Sequence, residues 1–251
     1  MQAKDRIILP VDVPDVDQAL FFAKILKGHV GMYKIGLEFI WSSLANLLLM
    51  SAHDAEILLH KMRQLAILIG GPDAFIDGKL CDIPNTVKGA SVAIARLGVK
   101  FFNVHASSGR GAIKAAVAVK ANSKVLGVTV LTSIDEGECV SIFGTKPASA
   151  VINFVRMLLG EGADGVICSP REVEIIRSNS EFNDLVLVTP GVRPEWAAAG
   201  DQKRVMTPGE AIKAGANYLV IGRPITKPPA EIGSPVMAAQ RISQEIEAAL
   251  A

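Results

Sequence analysis

Ile7-Ile8-Leu9-Pro10-Val11-Asp12-Val13-Pro14 is an apolar run of strand length that stops at an acidic residue and a proline. Such a run, bounded by a turn signal, reads as a buried strand over residues 7–11. The turn after this strand decides between two folds. An open, doubly wound sheet carries a Gly-rich turn there, where it takes a dinucleotide's phosphates. Here the turn holds Asp12 and Pro14 and no glycine. A strand that ends in a lone carboxylate suits the mouth of a barrel instead.

Outward from this unit the pattern repeats. Apolar runs of strand length fall at 32–35, 74–76, 101–104, 125–131, 165–167, 185–188 and 218–221, which with 7–11 makes eight. Helix-like segments lie between them. Residues 15–26 open on acidic side chains, which suit a helix amino terminus. Segments 87–97, 148–159 and 207–214 stop at Gly98, Gly160 and Gly215, natural helix ends. Residues 234–250 supply the last helix. The connection from Lys34 to Ala74 is long enough for two helices, closing on Gly70-Gly71-Pro72. The expected fold is an α/β (β/α)₈ barrel, one domain over residues 1–251.

Composition narrows the function. Apolar residues make up 50% of the chain but aromatics only 5%, as suits aliphatic parallel strands buried under helices. With 26 basic and 25 acidic residues and no basic run, nothing suggests a nucleic-acid partner. Three widely spaced cysteines, Cys81, Cys139 and Cys168, fit neither a disulfide framework nor a zinc knuckle, and indicate a reducing compartment. The amino terminus is charged, unlike a signal peptide. The oily stretch 44–69 is broken by His53, Asp54, Glu56, His60, Lys61 and Arg63, so no membrane span is expected. These features predict a cytoplasmic protein.

Barrel enzymes work at the carboxyl ends of their strands. There the sequence places Asp12, then Lys34, then Asp77-Gly78-Lys79 with Asp82 close behind, then His105, Thr132 and Ser169. Asp77 and Lys79 are two apart, so alternation sends both into the mouth. Four such groups together, Lys34, Asp77, Lys79 and Asp82, exceed what structure needs, since buried ion pairs seldom stabilise more than packed apolar residues would. The last two strands run into Thr189-Pro190-Gly191-Val192-Arg193, Gly200-Asp201-Gln202-Lys203-Arg204 and Ile221-Gly222-Arg223-Pro224. Loops after these strands often bind phosphate; Gly222 lets backbone N–H groups approach and Arg223 offers a planar fork. The stretch from His105 to Gly111 is a weaker anion-loop candidate. His29, His53 and His60 share no metal-ligand spacing with each other or with His105, so no metal site is expected from them.

The run Phe75-Ile76-Asp77-Gly78-Lys79-Leu80-Cys81-Asp82-Ile83-Pro84-Asn85-Thr86 resembles the D-x-K-x-x-D-I-P-x-T signature of the orotidine 5′-phosphate decarboxylases. Six further blocks match in order: Val11-Asp12, Tyr33-Lys34-Ile35-Gly36, Val130-Leu131-Thr132-Ser133, the Thr189 run through Pro194, Gly200–Arg204 and Ile221-Gly222-Arg223-Pro224-Ile225. The resemblance implies a cofactor-free barrel enzyme that makes UMP as a homodimer. In it Lys79 gives its proton to C6 of the pyrimidine. Lys34, Asp77 and Asp82 complete a charged array, and Asp82 and Thr86 reach the partner subunit's site. Asp12 bonds the ribose, Thr132 lies beside the pyrimidine amide, and Arg193, Gln202, Gly222 and Arg223 surround the phosphate. Gly78 and Cys81 replace larger residues of the signature, and the connection from Lys34 to Lys79 is longer than in bacterial-type members.

Two other readings compete. One is a magnesium-dependent sugar-phosphate decarboxylase acting on 3-keto-L-gulonate 6-phosphate, which shares the Asp-x-Lys-x-x-Asp run but has an acidic residue where this chain has Lys34. The other is an idle phosphoribosyl-ligand binding protein, which would have lost one of the four charged residues; all four are present.

Overall fold

The computed structural model describes residues 1–197 and 206–251. Eight parallel strands close into a barrel in sequence order. In chain order β1 (Ile7–Pro10) leads to α1 (Val16–Leu26), and β2 (Met32–Ile35) to α2 (Leu37–Leu49) and α3 (Ala52–Ile69). β3 (Ala74–Leu80) precedes α4 (Pro84–Ala95), and β4 (Phe101–His105) precedes α5 (Arg110–Val117). β5 (Lys124–Val128) leads to α6 (Glu136–Phe143) and α7 (Pro147–Gly160), and β6 (Gly165–Ile167) to α8 (Val173–Arg177). β7 (Val186–Pro190), α9 (Pro208–Lys213), β8 (Tyr218–Val220), α10 (Arg223–Thr226) and α11 (Pro235–Leu250) complete the ring.

The helix starts reflect local chemistry. Asp15 and Ser51 cap α1 and α3 by accepting the N–H groups of Asp17 and Asp54. Pro84 sits in the first turn of α4, where its missing N–H costs nothing, so that helix begins earlier than the apolar pattern at 87–97 suggests. Two strand boundaries differ from the expected ones by three residues or more. β5 ends at Val128, and the hydroxyl of Thr129 then donates to the Ile167 carbonyl (2.9 Å) as the chain turns outward. β3 runs four residues beyond the expected 74–76.

The core has two layers. Ile8, Met32, Phe75, Phe101, Leu126, Val188 and Tyr218 come from seven strands and touch one another, so they fill the barrel interior. Phe101 makes edge contacts with Phe75 (6.0 Å) and Tyr218 (5.3 Å), and the Lys100 ammonium covers it from the amino end at 5.6 Å. The larger layer, including Leu20, Phe102, Val104, Ile113, Leu158, Leu187 and Ile242, lies between sheet and helices. Each fully buried side chain of this size stabilises by roughly 1.5–3 kcal/mol. α2 is more loosely held: it buries Phe39 and Ser43 and leaves Trp41, Leu48 and Leu49 exposed.

Candidate active site

Phe75 of the interior plug lines the floor of a cavity of about 700 Å³ at the carboxyl end of the barrel. Asp12, Lys34, Asp77, Lys79, Thr132, Arg193, Gly222 and Arg223 all line it. Sequence reasoning had not marked its apolar wall, which includes Val130, Ile167 and Pro190. Gln202 lies outside the described residues. Asp82 and Thr86 are exposed and do not line the cavity of their own chain; the Asp82 carboxylate accepts the N–H of Ile83 (2.7 Å).

The charged residues form a chain. Lys34 Nζ lies 3.1 Å from Asp12 Oδ1 and 2.7 Å from Asp77 Oδ2, and Lys79 Nζ lies 2.7 Å from Asp77 Oδ1. Burial works against the Asp77 carboxylate, but Lys34 and Lys79 outweigh it and hold the group below the usual carboxylate range. Burial likewise opposes the Lys34 ammonium, and Asp77 with Asp12 overcomes it, keeping that lysine above its ordinary value. Both are therefore ionised at neutral pH. The side chains of Asp77 and Lys34 are only 7% and 10% exposed, whereas the two ends of the chain, Lys79 at 31% and Asp12 at 46%, are open to a ligand.

Asp77 and Lys79 converge, though not by simple alternation. On β3 the pairing with β4 passes from Ile76 opposite Phe102 to Leu80 opposite Val104, four residues against two, so residues 77–79 form a bulge. Within it Lys79, not its neighbour Gly78, takes the left-handed conformation, with φ of +46°. A side chain there costs about 1–2 kcal/mol. Asn103 of β4 meets the bulge: its amide Nδ2 donates to Asp77 Oδ1 (2.6 Å) and its Oδ1 accepts the backbone N–H of Lys79 (2.8 Å). The sequence did carry a signal for it, a neutral polar residue inside the apolar run Phe101-Phe102-Asn103-Val104. Gly36 was a further unread requirement. A Cβ there would stand 2.4 Å from Asp12 Oδ1 and 3.0 Å from Lys34 Nζ, so glycine leaves room for their pairing as it stands and a larger residue would displace the Asp12 carboxylate.

The weaker candidates separate. The His105–Gly111 stretch does not line the cavity, and Arg110 turns away to Glu161 at 3.0 Å. His105 is half-buried at the end of β4; burial, then the nearby Lys79 cation, hold its imidazole below the ordinary value, against a smaller opposing effect of Asp77. Cys168 lines the cavity as a buried thiol whose titration burial pushes upward, and Cys81 is exposed. Among the described residues no group of His, Cys, Asp and Glu is arranged to hold a metal ion, and no helix is long and apolar enough to cross a membrane.

The chain's relatives bear on this geometry. Residues 5–242 match the family model described as "Orotidine 5′-phosphate decarboxylase / HUMPS family". The orotidine 5′-phosphate decarboxylase of Moorella thermoacetica is 41% identical, covering 98% of this chain and 94% of that protein. The enzyme of the same name from a Nostoc species is 43% identical over 97% and 98% of the two chains. Among solved structures, the orotidine 5′-phosphate decarboxylase of Lactobacillus acidophilus superposes with a TM-score of 0.71 at 31% identity, covering 96% of this chain and 98% of that one.

Proposed function

The chain belongs to the orotidine 5′-phosphate decarboxylase / HUMPS family, and on that premise we propose that it converts orotidine 5′-phosphate to UMP without a cofactor. The observation that carries this reading is the Lys34–Asp77–Lys79 chain at the floor of the cavity, with its exposed end at Lys79. The reaction breaks the bond from C6 of the pyrimidine to the carboxylate. Carbon dioxide leaves and the electron pair stays on an sp² carbon that the ring delocalises poorly. An ammonium fixed beside C6 stabilises that charge, and one such preorganised donor is worth on the order of 10²–10³ in rate. Lys79 then transfers a proton to C6 and regains one from solvent. Asp77 and Lys34 hold its charge and place; Asp12 receives the ribose, Thr132 the pyrimidine amide, and Arg193, Gln202, Gly222 and Arg223 the phosphate. Binding energy from the phosphate is then available at the reacting carbon.

The magnesium-dependent sugar-phosphate reading fits less well. A metal would need carboxylates free to bind it, and the Lys34 ammonium already stands between Asp12 and Asp77. Incubation with orotidine 5′-phosphate, following the loss of its ultraviolet absorbance, tests the proposal. Turnover should persist after exhaustive EDTA treatment. Turnover abolished by chelation and restored by magnesium would transfer the assignment to the sugar-phosphate class.

Residues 1–251 act on this reading as one barrel domain, in the cytoplasm, and as a homodimer. Asp82 and Thr86, exposed just past β3, complete the site of the partner subunit. Equal mixing of Lys79→Ala and Asp82→Asn dimers, with subunit exchange, then yields half mixed dimers with one intact site each, about a quarter of wild-type activity by the symmetry of a two-fold assembly. Activity that stays at the level of the separate variants after verified exchange places Asp82 within its own chain's site.

A further inference from the structure

We infer that Asn103 is a positioning residue for the reaction, fixing the bulge of β3 so that the Lys79 ammonium and the Asp77 carboxylate keep their working geometry. The inference rests on the assignment of Lys79 as proton donor.

Asn103 is fully buried, on a strand whose neighbouring interior residue, Phe101, belongs to the apolar plug. A buried amide must satisfy both its ends. The orientation of this one is set by its partners. The Lys79 N–H can only donate, so Oδ1 faces it; the Asp77 carboxylate can only accept, so Nδ2 faces that. One side chain thus ties together the two features that make the bulge unusual. The first is a left-handed backbone at Lys79, which no glycine relieves. The second is a carboxylate oxygen, Asp77 Oδ1, shared between the Asn103 amide and the Lys79 ammonium. An N–H pinned at 2.8 Å sets where the Lys79 side chain begins. A donor on Oδ1 sets the rotation of the carboxylate to which that side chain's end is paired. Neither Asp77 nor Lys34 performs the first task, because Asp77 meets only the ammonium end of Lys79 and Lys34 meets Asp77 and Asp12.

The pattern required is one acceptor and one donor on a short planar group, and this makes a discriminating variant available. A protonated aspartic acid has the same shape, with a carbonyl to accept and an O–H to donate; ionised, it has no donor and repels Asp77. Asn103→Asp should therefore be nearly inactive at alkaline pH and recover as the pH falls, because two carboxyl groups at hydrogen-bonding distance cannot both ionise readily. Asn103→Leu, similar in size and without either polar atom, should lower kcat by about 100-fold while KM stays within roughly threefold, the signature of an interaction used in the transition state. Hydrogen exchange at the Lys79 amide reads the clamp without any substrate, and should accelerate by at least about tenfold in Asn103→Leu as the opening of that bond becomes easier. Unchanged kcat and an unchanged pH profile per folded enzyme in both variants, with only a lowered Tm, would reduce Asn103 to a packing role. Unaltered exchange at Lys79 would overturn the clamp itself. If the wild-type protein does not consume orotidine 5′-phosphate, it is the decarboxylase assignment that fails, and the exchange measurement still decides whether Asn103 fixes Lys79.

Discussion

At the amino-terminal end of the barrel, Arg177 directs its guanidinium N–H groups at the carbonyls of Gly215, Phe182, Asn183 and Leu185 (3.1 Å each) and at Asn217 Oδ1 (2.8 Å). Beside it Lys120 meets both oxygens of Asp164 at 2.7 Å, and Asp164 accepts the N–H of Val125. At the carboxyl-terminal end, Lys34 and Lys79 meet Asp77 at the same 2.7 Å. Distance alone does not distinguish the two networks. What differs is the partner and the backbone. The amino-end charges end on main-chain groups that enter β5, β7 and β8, so they tie strands together. The carboxyl-end charges end on one another, across a bulge with a left-handed residue, at the wall of a cavity. Ion pairs at one end of this fold hold the chain, and at the other they hold charge in readiness for a ligand.

The sharpest way to test that contrast is to remove one cation from each end. Lys79→Ala should lower kcat by at least about three decades, since on the proposed mechanism it removes both the cation beside C6 and the proton donor. Its Tm should move little, because the lost pair is partly exposed and Asp77 retains Lys34 and Asn103. Stopped-flow or long-time assays of decarboxylation together with a melting curve read both quantities. Near-normal kcat would remove Lys79 from the reaction. A large fall in Tm with it would mean that the array is structural after all.

Arg177→Ala should behave in the opposite way. It strands four main-chain carbonyls that the guanidinium now serves, at a cost of about 2–4 kcal/mol of folding stability. At 25 °C the kcat of the folded fraction should remain within about twofold of wild type, because no part of the fork reaches the cavity. Urea denaturation checks the first expectation and a steady-state assay the second. A kcat loss of tenfold or more without loss of stability would erase the distinction between the two ends.

These two ends were not equally legible in the sequence. Lys34, Asp77, Lys79 and Arg223 stood out because charge within or just after an apolar run is costly and therefore conspicuous. The eight strands and the paired helices after β2 were readable from run lengths and glycine stops. Arg177 did not stand out, because one arginine near the end of a short helix reads as a solvated side chain; its value comes from carbonyls between five and forty residues away. Asn103 was passed over because its one signal, a neutral polar residue inside an apolar run, carries no charge. The bulge was hidden for another reason. Ile76-Asp77-Gly78-Lys79-Leu80 alternates regularly, and the glycine that a reader would assign to an unusual backbone is not the residue that adopts it.

The smallest expected effect belongs to His105, and it tells the two ends apart by titration. Its imidazole is held below the ordinary histidine value first by burial and then by the Lys79 cation. In the unfolded chain it has neither influence, so between the folded and unfolded values the unfolded state binds more protons and stability rises with pH. The contribution is complete above the unfolded value of about 6.5 and is lost as the pH falls through the folded one. Lys79→Ala removes the second cause and leaves the first, so the His105 titration should move part of the way back towards the ordinary value, narrowing that window. Arg177→Ala, at the far end of the barrel, should leave it in place, since a charge beyond roughly a Debye length of about 8 Å is largely screened. Proton–carbon NMR of the His105 ring in the three proteins measures this directly. If His105 titrates identically in wild type and Lys79→Ala, the Lys79 cation does not act on it and burial is what lowers its value. If Arg177→Ala shifts it as far, the two ends are coupled through the sheet and cannot be treated as separate structural and chemical regions.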